Sequence, residues 1–487
     1  MVTARDDPPT SAREPQARSY RSLALVVASA MFMQQMDATV LTIALPAMAR
    51  DLETTAPGLS LALTSYLLAL AIFIPVSGRL ADRYGARTIF CTAIIVFLAG
   101  SALCAQSTNL EFLIFSRFFQ GLGGAMMVPV GRLVLLRNVA KEDLVSALSW
   151  LVIPALLGPV IGPPIGGLIV TYLDWRWIFY LNIPVGLIGL AGAIWLVRNQ
   201  RASSPSAADF SGFILSSLAL GCLLFGFELA SRPREAKIAM GLILIGIIFG
   251  LFYVRHAVKT PHAILQLSLL RVDTFRLSVI AGSLTRITQG AQPFLLPLMF
   301  QLGFGFSAVA TGTITMANAI GALLMKSIAP RILKRWGFRS TLIAAGIGAS
   351  VGYGLCAAFR PDWPIGLIVA VMGISGFFMS YQFTAYNAIA FAEISPEQMS
   401  SATSFYATFQ QLSLSLGICL AAGLLHGGMY LSGASQPSLI DFSAAMLVVA
   451  MISASALYWN RSLTADAGAE LSGQASEPVD SVAGPAN

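Results

Sequence analysis

Gly78-Arg-Leu-Ala-Asp-Arg-Tyr-Gly-Ala-Arg87 returns 252 residues later as Pro330-Arg-Ile-Leu-Lys-Arg-Trp-Gly-Phe-Arg339. Arg79, Arg83, Gly85 and Arg87 fall on Arg331, Arg335, Gly337 and Arg339. Each copy links the second and third long apolar runs of a group of six. The same offset carries Asp37 onto Gln289 and brings Pro46 within one residue of Pro297. A repeated block of membrane spans is characteristic of transporters, whose sites lie where the repeats meet, near the bilayer midplane.

Composition supports the membrane reading. Of 487 residues, 56% are hydrophobic and 11% charged, with a mean hydropathy of +0.74; soluble domains run near ~25% charged. At about 20 apolar residues per span, fourteen spans fit: 22–48, 58–78, 88–107, 110–136, 145–171, 177–197, 210–230, 237–256, 275–302, 307–329, 339–359, 364–392, 400–428 and 438–460. The expected fold is an all-α integral membrane protein. It has a cytoplasmic tail (1–21), a six-helix bundle (22–197), an inserted helix pair with its linkers (198–274), a second six-helix bundle (275–460) and a second tail (461–487). The Ser/Pro/Ala-rich ends, 1–20 and 462–487, are expected to be disordered. The first apolar run is too long for the core of a cleaved signal and is interrupted by Gln34, Gln35 and Asp37, so it reads as a retained helix.

With an even span count, both termini share one side. Placing them in the cytoplasm puts twenty Lys/Arg inside and six outside, as the positive-inside rule requires. The net charge of +7 therefore lies in short loops and tails and implies no nucleic-acid partner. Five isolated cysteines and three scattered histidines form no disulfide, zinc or other metal pattern. No nucleotide loop of the form G-x-x-x-x-G-K-[ST] and no nucleophile cluster is present. Enzyme chemistry and a cofactor are therefore not expected, and the partners left are the lipid bilayer and a small molecule.

Asp37 lies mid-span in Met-Gln-Gln-Met-Asp-Ala-Thr-Val. A carboxylate there costs about 3 kcal/mol to insert, and intramembrane acids usually carry protons or ions. Arg117, Arg132, Arg286 and Lys326 are the cations placed well inside spans. Arg117 shares the half that contains Asp37, and a guanidinium near hydrocarbon needs a carboxylate, carbonyls or water. The two are expected to approach, either as a proton-release pair or as a static pair that fixes packing.

These features resemble the major facilitator superfamily, specifically its fourteen-span drug:proton antiporter family, over nearly all of residues 22–460. The segment Gly78–Arg87 is similar to the superfamily's signature between spans two and three. By resemblance, Gly78, Asp82, Arg83, Gly85 and Arg87 form a cytoplasmic gate, with Asp82 latching the start of span thirteen near Ser400. Arg117-Phe-Phe-Gln-Gly-Leu-Gly-Gly124 resembles the R-x-x-q-G motif of span four. Gly158-Pro-Val-Ile-Gly-Pro-Pro-Ile-Gly-Gly167 resembles the antiporter helix, with Gly158, Pro159, Gly162, Gly166 and Gly167 marking an exporter. Its glycines, four residues apart, leave a flat stripe for close helix approach; no counterpart stands out near 410–420. Trp175-Arg-Trp-Ile-Phe-Tyr-Leu-Asn-Ile-Pro-Val-Gly186 resembles a stretch of the fourteen-span branch and is read as structural. The resemblance implies a monomeric transport unit in a bacterial inner membrane, with protons as the coupling ion.

The expected cargo cavity draws on Gln34, Arg286, Gln289, Gln292, Gln382, Tyr386, Asn387, Phe405 and Phe409, since promiscuous sites need apolar walls and few polar groups. Arg132 and Lys326 are near enough to the cytoplasmic ends to snorkel. Arg286 is deeper and leaves two readings open. Either carbonyls and amides neutralise it, or the cargo is an organic anion or a metal chelate of one. A non-transporting membrane sensor or scaffold is the reading from another class.

Overall fold

The computed structural model describes residues 13–139, 144–201, 209–230, 235–260, 263–395, 398–464 and 467. Most of the two tails expected to be disordered lies outside the described residues. Among the described residues, fourteen long helices are present: α1 (Arg13–Asp51), α2 (Ser60–Tyr84), α3 (Ala86–Ala105), α4 (Leu110–Asn138), α5 (Leu144–Tyr172), α6 (Trp177–Leu196), α7 (Phe210–Ala230), α8 (Ala236–Lys259), α9 (Asp273–Leu298), α10 (308–336), α11 (338–357), α12 (Ile365–Ile389), α13 (Met399–Ser432) and α14 (Leu439–Arg461). Among the described residues, twelve spans are long and apolar enough to cross a membrane, and α5 adds the shorter apolar segment Leu156–Tyr172. The remaining helix, α9, is long enough but carries Arg286, Gln289 and Gln292 on its buried surface. It continues into a wider π turn, Met299–Gly303.

The repeated basic segment is not a loop of ten residues. Helix α2 runs to Tyr84 and α3 starts at Ala86, so Gly85 alone makes the turn, at φ 98° and ψ 138°. Its repeat mate Gly337 bends α10 into α11 at φ 68° and ψ 174°. Both are backbone conformations that only glycine enters cheaply. Gly78 consequently lies inside α2, with open space around it.

Packing repeats along with sequence. In the first bundle α1 packs on α5 and α6, α2 on α4, and α3 on α6; in the second, α9 packs on α13 and α14, and the continuous α10–α11 stretch on α12 and α14. The bundles meet along two seams, α2 against α13 and the α10–α11 stretch against α5. At the α5 seam, a Cβ on Gly167 would come within 2.5 Å of the Ala308 carbonyl oxygen, and one on Gly312 within 2.2 Å of that of Pro163. Backbone meets backbone there, which is the close approach that small residues permit.

The inserted pair, α7 and α8, packs on itself through Gly226 against Ile243 and Gly246 against Leu223. It also covers the other seam: Leu224 of α7 clusters with Leu68 and Ile72 of α2, with Leu412 and Leu416 of α13 packed alongside. At one end of the pair, Ser60 of α2 donates a hydrogen bond to the buried carboxylate of Glu228. At its other end, Asp209 accepts from the Gly212 N–H (2.8 Å) and the Ile264 N–H (3.2 Å) and pairs with His256 at 2.8 Å.

Candidate functional site

Asp37 is 4% exposed and Arg117 1%. Arg117 donates from Nη1 to Asp37 Oδ2 at 2.6 Å and, from the same nitrogen, to Gln120 Oε1 at 2.6 Å. The other carboxylate oxygen, Oδ1, accepts from Gln120 Nε2 (2.9 Å) and Asn182 Nδ2 (3.0 Å), and both amides also reach Ser101 Oγ. Arg117 Nε is directed at the Ala62 carbonyl, 3.4 Å away, and its guanidinium lies over the Tyr66 ring at 4.4 Å. Five helices thus converge on one carboxylate. Helix α1 brings the acid, α4 and α6 its donors, α3 the hydroxyl that accepts from both amides, and α2 the carbonyl and ring beside Arg117; such pairing is the condition under which a buried charge is tolerated.

Helix geometry explains the placement. Gln120 follows Arg117 by three residues and so shares its face of α4. Helix α6 is broken at Leu181, and Asn182 opens its second segment. Gln35, Ala38, Thr39 and Thr42 form one stripe of α1 that lines a central cavity. Asp37 falls on the opposite side of the helix, facing into its own bundle.

That cavity, about 320 Å³, lies between the bundles. Its walls are mostly apolar, with proline, leucine, alanine, methionine and phenylalanine side chains that include Pro159, Pro163, Pro293, Met379 and Phe383. Gln289 and Gln292 line it as expected. Gln292 donates to Ser375 Oγ (3.2 Å) and accepts from Asn318 Nδ2 (3.3 Å). Gln35, rather than Gln34, is the α1 glutamine that lines it.

The other expected cavity residues are packed away. Arg286 is 2% exposed. It donates from Nη2 to Tyr406 Oη (2.8 Å) and Asn387 Oδ1 (3.2 Å), and its guanidinium lies over the Tyr406 ring at 4.6 Å. Amide, hydroxyl and ring accommodate it, and among the described residues no carboxylate forms a salt bridge with it. Tyr386 donates to Asn460 at 2.6 Å, Phe405 stacks on Phe409 at 4.7 Å, and Gln382 is fully buried. These side chains serve the second bundle's interior because their faces of α12 and α13 point at α9, α11 and α14.

The antiporter-like stripe of α5 packs on α1. A Cβ on Gly158 would meet Gln35 Cβ at 2.8 Å, one on Gly162 Thr39 Oγ1 at 2.1 Å, and one on Gly166 the Val40 backbone at 3.1 Å. Pro159 and Pro163, on the neighbouring face, line the cavity. One helix therefore touches the helix that carries Asp37, the cavity and, through Gly167, the opposite bundle.

The model of the Major Facilitator Superfamily matches residues 27–418 and 278–474. The chain belongs to the major facilitator superfamily. It is 35% identical over 412 residues to the Haemophilus influenzae protein named "Probable transport protein HsrA", covering 84% of this chain and 89% of that protein. It is 34% identical over 433 residues to the Citrobacter koseri protein named "Putative multidrug resistance protein MdtD", covering 88% and 91%. The fold is similar to a crystal structure of an auto-inhibited POT family peptide transporter, with TM-score 0.65, 15% identity, and 96% and 99% of the two chains covered. As a superfamily member the chain is a multi-pass membrane transporter, not an enzyme, and it handles a small molecule.

Within this superfamily fold, the acid of the signature segment has a partner in its own bundle. Asp82 pairs with Arg137 of α4 at 2.5 Å, inside its own bundle. Arg137 also donates to the Gln200 carbonyl at 3.2 Å, and the Ala86 N–H meets the same oxygen. The side chain of Ser400, the partner expected for Asp82, lies outside the described residues. Arg83 is exposed and lies over the Tyr84 ring at 5.5 Å, while Arg87 is half-buried on the first turn of α3.

Sequence reading missed three residues. Gln120 was visible as the fourth residue of the span-four motif. Asn182 lay in the Trp175–Gly186 stretch read as structural; an amide amid apolar residues was its signal. Glu228, 1% exposed, lies two residues from the end of α7, so depth alone did not single it out.

Proposed function

We propose that the chain is a proton-coupled antiporter that exports small amphipathic compounds by alternating access, with Asp37 carrying the proton and Arg117 as its counter-charge. The observation that carries this reading is the buried pair at 2.6 Å on the reverse face of the cavity-lining helix. Protonating Asp37 removes the charge that holds Arg117, so the two protonation states favour different packings of α1. A coupling ion needs such a differential.

Export is supported by the glycine–proline pattern of α5 and by the name of the Citrobacter koseri relative. In this reading residues 22–197 and 275–460 rock against each other, and the end bearing Gly85 and Gly337 faces the cytoplasm of a bacterial cell, as do both termini. The carrier works as a monomer in the inner membrane. Asp82, Arg83, Gly85 and Arg87 shape the cytoplasmic gate within the first bundle.

The test is transport in proteoliposomes under an imposed pH gradient, with a panel of lipophilic cations and organic anions. Asp37→Asn is expected to abolish gradient-driven movement while leaving exchange of cargo in the absence of a gradient. Full gradient-driven transport by that variant would remove Asp37 from the coupling role.

A further inference from the structure

The charge of the central cavity was expected to come from Arg286, which is instead enclosed by Tyr406, Asn387 and Phe383. The charge that does line the cavity is Lys326. On α10, Thr315, Asn318, Ala319, Ala322, Leu323 and Lys326 all line it. Steps of three and four residues make them one helical stripe. Lys326 therefore shares a face with residues whose inward direction is fixed independently. It is exposed, and among the described residues it makes no salt bridge.

Among the described residues, no aspartate or glutamate lines the cavity. Asp37 faces away and is bound by Arg117, Gln120 and Asn182. The guanidinium of Arg286 stands 5.5 Å from the Phe383 ring, whose residue forms part of the cavity wall. The charge on the described wall is thus positive, with a second cation behind Phe383, while most of the wall is apolar. Ile74 occupies the position equivalent to Lys326 in the first repeat, so the charge belongs to one bundle alone.

We propose that the cavity takes a lipophilic organic anion, with Lys326 as the counter-charge for its head group and the proline, methionine and phenylalanine wall covering its apolar body. This rests on the transport reading above and names the cargo class for the same cavity. A lysine offers a compact, rotatable point charge that accepts carboxylates or sulfonates of varied shape. A cation placed in the same space would meet like charge and find no carboxylate to offset it.

The test uses octanesulfonate, which is anionic at every working pH, and octyltrimethylammonium, a cation of similar length. Equilibrium binding to the purified full chain is measured first, because binding needs no proton coupling. Wild type is expected to bind the sulfonate more tightly than the ammonium. Lys326→Gln is expected to weaken sulfonate binding by about tenfold or more without weakening that of the ammonium, and Lys326→Arg to retain sulfonate binding.

Lys326→Arg also serves should the glutamine variant fail to fold, since it preserves the charge and length. If wild type fails to prefer the sulfonate, or if Lys326→Gln binds it as wild type does, the proposal is overturned. So too if the folded arginine variant loses the preference. Transport under a pH gradient then separates the two readings. Normal binding with no gradient-driven movement would overturn proton coupling and leave the cargo class standing.

Discussion

Arg117 Nη1 is shared between Asp37 Oδ2 and Gln120 Oε1, each 2.6 Å away, in a site almost closed to solvent. Removing one member leaves the other charge buried. Arg117→Gln is expected to destabilise the protein by about 3–5 kcal/mol, the usual cost of breaking one side of a buried pair. Asp37→Asn combined with Arg117→Gln should recover part of that loss. Thermal unfolding in detergent across the double-mutant cycle measures it; strictly additive losses would mean the two charges do not depend on each other.

Gly162 faces Thr39 so closely that an added Cβ would lie 2.1 Å from Oγ1. Gly162→Ala is expected to cost about 1–3 kcal/mol by overpacking and to slow transport by separating α5 from α1. Thr39→Ala should restore part of both, because it removes the atom that clashes. Paired melting and transport measurements on the single and double variants check this.

Gly85 and Gly337 hold positive φ at equivalent places in the repeat. Alanine at either is expected to cost about 1–3 kcal/mol in backbone strain. At Gly85 the added Cβ would also meet Asn199 Oδ1 at 2.1 Å, so that side chain must move as well. A melting temperature unchanged in both variants would show that these turns relax freely.

Asp209 anchors the inserted pair and carries a pH dependence. Burial alone would raise its pKa. The Gly212 N–H, His256 and the Ile264 N–H outweigh that and hold the carboxyl below the ordinary range. A folded pKa below the unfolded one means the stabilisation is fully present above the unfolded value, near ~3.9. It is lost as pH falls through the lowered folded value. Hydrogen exchange in residues 263–272 is expected to rise with acidification over that window. Asp209→Asn should flatten the response, and an equal response in the variant would assign it to another group.

The fold was legible in the chain because membrane spans announce themselves by length and a repeated basic segment marks the doubling. The register within the repeat was less so. The offset of 252 residues that aligns Gly85 with Gly337 pairs Asp37 with Gln289, which lines the cavity. At 251 residues Pro46 falls on Pro297, Gly166 on Gly417 and Asp37 on Thr288, which is buried and donates to Tyr353. Gly417 is the one glycine of the α5 pattern that this register carries into the second half. Its Cβ would meet the Ile287 carbonyl at 2.0 Å, so the second bundle keeps the close helix contact without the prolines.

The pair Asp37–Arg117 was readable because a deep guanidinium needs a counter-charge and Asp37 was the only mid-span acid expected in its half. The cavity lining was not. A glutamine or tyrosine in a span serves packing as readily as cargo, and one residue along a helix turns a side chain by about 100°. That rotation exchanges Gln34 for Gln35.

The helix pair laid over α2 and α13 has a consequence for molecules dissolved in the bilayer. With Leu224 and its neighbours filling that seam, a lipid-borne compound cannot slip between the bundles from that side. The opposite seam is fastened at one end by Gly167 against Ala308, while nearer its other end Leu156, Leu323 and Lys326 border the central space. The carrier is thus one-sided around its circumference, with a sheltered flank and a flank turned to the lipid.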